Sequence, residues 1–172
     1  MKKKWIHDHS GMSLVEIIIV IAMIAILAGS SYIMFNNVRA TNLKDTVETI
    51  DSRLDKLQME TMSKSGNPFL YIYKLSDGYY MKILKEKLTS FDSTKLDTNG
   101  TKVAGNDVKI YQDSEVTSNL VNDGGRFIRI AYSKSMAFSY ADSDTNVNSI
   151  VIKGISSYEI KLMKETGKHF VY

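Results

Sequence analysis

The chain has 172 residues, 22 Lys plus Arg against 19 Asp plus Glu, and no cysteine. That length leaves room for one small globular domain beside a membrane segment, and the missing thiols exclude both a disulfide framework and a thiolate metal site. The formal net charge is only +3, and the early run Lys2-Lys3-Lys4 carries much of it, so the bulk charge provides no general attraction to a polyanion.

Met1 to Gly11 is basic and lacks an internal apolar core of the kind a secretory signal peptide carries. Then follow Gly11-Met12-Ser13-Leu14-Val15-Glu16 and the unbroken apolar run Ile17 to Ala28. Between Leu14 and Phe35 the only charge is Glu16. At about 1.5 Å per residue this stretch makes about 33 Å of helix, enough for a hydrocarbon core about 30 Å thick. The lysines before it belong on the cytoplasmic side. Ionised in lipid, the Glu16 carboxylate costs roughly 2.5 to 3.5 kcal/mol on insertion scales and calls for a partner. Cleavage after Gly11 frees one, the α-amine of Met12; the amine of a neighbouring subunit serves equally well.

A short basic leader ending in Gly, then a hydrophobic residue, Ser, two apolar residues, Glu and a long aliphatic run resembles the type III signal of type IV pilins and pseudopilins. The resemblance implies cleavage after Gly11 by a prepilin peptidase, N-methylation of Met12, and pairing of Glu16 with the amine of an adjacent subunit during filament assembly. It also implies other pilin or pseudopilin subunits, the inner-membrane assembly platform and membrane lipid as partners. The implied location is a single-pass cytoplasmic membrane protein with its head outside, then an envelope or surface filament of a pilus (fimbrium), type II secretion or competence system. The family often places Pro and Gly within the run, where this chain has Ile33 and Ala25. One alternative is a filament-borne binding protein whose head captures DNA or another ligand; the other, if Gly11 is not cut, is an uncleaved membrane-anchored surface protein.

Beyond Phe35 the helix is expected to continue to about Ser63. Leu43, Val47, Ile50, Leu54, Leu57 and Thr61 alternate spacings of four and three, which lays an apolar stripe along one face. The facing positions Lys44, Asp45, Glu48, Asp51, Arg53, Asp55, Lys56 and Glu60 are charged. A dimeric coiled coil suits the same stripe, but the heptads are too few to sustain one. Ser65-Gly66-Asn67-Pro68 should stop the helix, because Gly takes the left-handed cap and Pro cannot continue the turn.

Alternation then replaces helical spacing. Phe69 to Lys74 and Tyr79 to Leu84, joined through Leu75-Ser76-Asp77-Gly78, read as a hairpin. Further strands are expected at Val108–Tyr111, Phe127–Tyr132, Ser149–Lys153, Tyr158–Met163 and Lys168–Tyr172, with Ser90–Asp107 a loop or a weak excursion. The expected fold is α+β: a long N-terminal helix whose second half packs on a small antiparallel sheet. The bounds are a leader at 1–11, a transmembrane helix at 12–35, its amphipathic continuation at 36–65 and the head at 66–172. The order Gly125-to-Ile130 strand, Phe138, two strands and a Thr-Gly turn resembles the heads of H-type minor pseudopilins and FimT-like minor pilins, which implies a minor-subunit role.

Three chemical constellations remain. Asp142, Asp144, Asn146 and Asn148 alternate as a calcium loop begins, but Val147 and Lys153 stand where an EF-hand wants Gly and Glu, so a solvated loop competes with a calcium site and no other cofactor is expected. Lys161, Lys164 and Lys168, interleaved with Tyr158, Phe170 and Tyr172, suit phosphate contacts and stacking on DNA. Glu159 and Glu165 suit an ordinary solvated face instead. No enzyme is expected: there is no Gly-x-Ser-x-Gly elbow, His7 and His9 flank Asp8 in the leader, and His169 reads as a strand residue rather than a base.

Overall fold

The structure, a computed structural model, describes residues 13–63, 66–133 and 147–172. The chain divides into two units, residues 1–37 and 38–172. One helix, α1 (Leu14–Ser63), contributes to both. In the first unit every large apolar side chain from Leu14 to Phe35 is exposed. In the second, the expected stripe is buried: Leu43, Val47, Ile50, Leu54, Leu57 and Thr61, with Thr46 beside it. Thr61 fits among aliphatic neighbours because its hydroxyl donates to the Leu57 carbonyl at 2.8 Å, leaving no open polar group. Past the helix, Gly66 has φ +112° and Pro68 precedes the first strand.

Among the described residues, two four-stranded antiparallel sheets stand where a single sheet is expected. The first has the order β3-β2-β1-β5, from β1 (Phe69–Leu75), β2 (Gly78–Leu84), β3 (Thr101–Ala104) and β5 (Ile128–Ala131). The second has the order β4-β6-β7-β8, from β4 (Lys109–Gln112), β6 (Ser149–Lys153), β7 (Ser157–Leu162) and β8 (His169–Val171). The hairpin β1–β2 closes with Leu75 opposite Gly78, so Ser76 and Asp77 make the turn and Gly78 opens the next strand. Gly78 has φ +148°, and an added Cβ would run into the Ala104 carbonyl oxygen of β3. Glycine is required there on both counts.

Alternation along each strand sorts the residues into two cores. Leu70, Ile72, Tyr79, Met81, Ile128 and Ile130 of the first sheet and Ile110, Ile150, Ile152, Ile160 and Leu162 of the second join the α1 stripe in one cluster. Burying each such side chain is worth roughly 1.5 to 3 kcal/mol. Polar contacts tie the helix to β3: the Thr46 hydroxyl reaches the Val103 carbonyl at 2.9 Å, and the Arg53 guanidinium donates to the Thr101 hydroxyl at 2.7 Å.

On the opposite face of the first sheet a second cluster gathers Phe69, Tyr71, Tyr73, Tyr80 and Ala131 beneath Leu88 and Leu96. The segment between β2 and β3, polar in composition, is the cover of this core. Tyr71 donates its hydroxyl to the Glu86 carbonyl at 2.9 Å and accepts the Leu88 amide at 2.8 Å. Tyr73 donates to the Asp97 carbonyl at 2.6 Å, while the Lys82 ammonium donates to the Lys95 carbonyl at 2.8 Å and to Asp97 at 2.7 Å. Two aliphatic anchors and five polar ties therefore hold this cover, whose part from Ser90 onward reads as loop in the sequence. The stretch Ser90–Asp107 also supplies β3, which pairs with β2 with a register shift between Tyr79 and Tyr80.

Candidate functional site

The amino end of α1 starts at Leu14, with the Ile17 amide bonded to the Ser13 carbonyl at 3.1 Å. Glu16 lies in this first turn. An anionic side chain there complements the positive end of the helix macrodipole. The helix then presents aliphatic side chains on every side, with exposures from 45% at Val20 to 75% at Leu14. A helix segment apolar all round and exposed along its length needs an apolar medium or other helices around it. Length and composition are those of a membrane-crossing helix. The two serine hydroxyls of the segment are satisfied internally: Ser30 donates to the Leu27 carbonyl at 3.0 Å and Ser31 donates to the same oxygen at 2.8 Å.

The prokaryotic N-terminal methylation motif matches residues 6–32. The chain carries a type IV prepilin signal. The signal supports a type IV pilin-like or pseudopilin precursor, and with it processing by prepilin peptidase and assembly with other pilin subunits. Together with the long apolar helix it fits a membrane-anchored precursor, and families bearing it are structural. No curated protein and no solved structure matches the chain at a significant level. Gly11 and Met12, the cleavage and methylation residues expected from the sequence, lie outside the described residues, and Glu16 lies on the described helix.

Asp142, Asp144 and Asn146 lie outside the described residues, as does Phe138. The Asn148 amide donates to the Asp113 carboxylate at 2.5 Å, as does that of Ser149 at 2.9 Å, so the backbone here is a strand entry held by Asp113. Lys161 is exposed opposite Phe170 in the β7–β8 ladder, and Lys164 and Lys168 are exposed in the turn that joins those strands.

One cluster has no counterpart in the sequence reading. His169, the first residue of β8, is inserted toward α1 with only 8% of its side chain exposed. Its Nε2 lies 3.1 Å from Asp51 Oδ1 and 3.6 Å from Asp55 Oδ1. The three ligand-type atoms lie within 4.8 Å of one another. Tyr132 is buried nearby, and its phenol is held well above the usual tyrosine range by burial first and then by the charges of Asp55 and Asp51. The signal for this cluster in the sequence was the i, i+4 spacing of the two aspartates, which puts both on one helix face. Nothing local connected that face to a histidine in the last strand.

Proposed function

We propose that the chain is a structural subunit of a type IV pilus-like filament, or of a secretion or competence pseudopilus, in a minor-subunit role. The observation that carries the reading is the methylation motif in register with a helix whose large apolar side chains from Leu14 to Phe35 are exposed. The precursor inserts with Lys2, Lys3 and Lys4 on the cytoplasmic side and the head outside. Prepilin peptidase cuts after Gly11, Met12 is methylated, and the assembly platform moves the subunit from lipid into a bundle of like helices. Lateral aliphatic packing then supplies cohesion, and the Glu16 carboxylate sets axial register by pairing with the amine of a neighbouring subunit.

The deciding experiment is the N-terminal residue and mass of the protein from membranes of cells that also express a prepilin peptidase. A methylated Met12 is the expected result. An intact Met1 returns the chain to an uncleaved membrane anchor and removes the role given to Glu16. In the same cells Glu16→Ala should leave insertion and cleavage unchanged while lowering incorporation into sheared filaments, and wild-type incorporation by that variant refutes the pairing.

A further inference from the structure

We propose that Asp51, Asp55 and His169 form a binding site for one divalent transition-metal ion of the zinc class, which staples the C-terminal strand β8 to helix α1. The first ground is distance. Tetrahedral bonds of about 2.0 to 2.1 Å place ligand atoms about 3.3 to 3.4 Å apart, and the imidazole nitrogen stands 3.1 and 3.6 Å from the two carboxylate oxygens. The second is that a proton on Nε2 cannot satisfy both carboxylates. Asp51 is within hydrogen-bond range, but Asp55 at 3.6 Å is beyond it, so two like charges converge on one donor. A doubly charged ion answers both.

The histidine itself points the same way. Its ring is more than nine-tenths buried, with Nε2 aimed into the aspartate pair. The polar partners of that nitrogen are thus the two carboxylates. One imidazole nitrogen with two carboxylates suits zinc-like ions, whereas calcium and magnesium prefer sets of oxygens alone. Asp55 is 63% exposed, so water can complete the coordination. The benefit is plain in a chain without cysteine: the ion joins residues far apart in sequence, as a disulfide does in other small extracellular domains.

The test uses the full-length, metal-stripped protein in detergent, with Co²⁺ as a spectroscopic probe and Zn²⁺ as competitor. Expected are a saturable ligand-field absorption at one equivalent of Co²⁺, its displacement by Zn²⁺, and an unfolding temperature raised several degrees by Zn²⁺ but not by Mg²⁺ or Ca²⁺. Asp55→Asn, at a largely exposed position, should lose at least tenfold in affinity while melting at the wild-type temperature without metal. A His7→Gln/His9→Gln variant, which removes the rival imidazoles of the leader, should bind as the wild type does. Absence of saturable absorption, binding unchanged by Asp55→Asn, or binding lost with the leader histidines overturns the proposal.

Discussion

Tyr73 makes the second core of the head sensitive to alkali. Its ring is fully buried, stacked on Tyr80 with centroids 6.0 Å apart and edge-on to Phe91 at 6.4 Å. Its hydroxyl donates to the Asp97 carbonyl. Burial, then the charges of Asp97 and Tyr80, pushes the phenol from 10.0 up to about 12. Because the folded value is the raised one, the neutral phenol contributes stability in full below pH 10, and that contribution is lost as pH rises through about 12. Two pKa units correspond to about 2.7 kcal/mol, of order 2 once partial solvent screening is allowed for. Tyr73→Phe removes this titration and also removes one hydrogen bond, worth about 0.5 to 1.5 kcal/mol. The variant should therefore be the less stable at pH 8 and lose that disadvantage by pH 12. Chemical denaturation of both proteins in detergent at intervals across that range reads the difference directly, since the other tyrosines and lysines titrate in both. Parallel loss of stability in the two proteins, with no convergence, refutes the placement of the hydroxyl under the Asp97 carbonyl.

Leu54→Ala, at a fully buried position in the centre of the α1 stripe, should cost about 2 to 5 kcal/mol, measured as a shift in denaturation midpoint at unchanged slope, while leaving insertion and processing of the precursor intact. Gly78→Ala should cost about 1 to 3 kcal/mol from backbone strain at φ +148°, and more from the clash with Ala104. Amide exchange read along the β2–β3 ladder should show protection lost there first; uniform loss across the head contradicts the assignment of β3 to that edge.

Much of the head was legible because its strands and helix alternate cleanly. The spacing of Leu43 to Thr61 fixed which face of α1 is buried, and the aromatic runs around Asp77-Gly78 marked the first hairpin. The division into two sheets was not legible, because it rests on pairings between distant segments: Phe69 to Ile72 pair with Ile128 to Ala131, and Lys109 to Gln112 with Ile150 to Lys153. Local alternation specifies that a segment is a strand without naming its neighbour. The stretch Ser90–Asp107, which carries Leu96 over the second core, reads as loop because Leu96 and Val103 are too sparse to set a period, and its hold comes from the Tyr73 hydroxyl and the Lys82 ammonium on other strands. The prepilin signal lay at the other extreme, since leader charge, Gly11, Glu16 and the aliphatic run are contiguous. The meeting of Asp51 and Asp55 with His169 depends on where the last strand docks, which no local pattern encodes.

Ser30 and Ser31 return their hydroxyls to the carbonyl of Leu27, and this gives the apolar segment an indifference to its surroundings. Between Leu14 and Ser31 the polar side chains are Glu16 and these two serines, and the serines carry their acceptor with them. The segment can therefore exchange one oily medium for another, acyl chains for neighbouring helices, without breaking or remaking a serine hydrogen bond. Glu16 is the exception to that neutrality. It is the group that can tell the two media apart, so a preference for one destination over the other is concentrated in a single carboxylate.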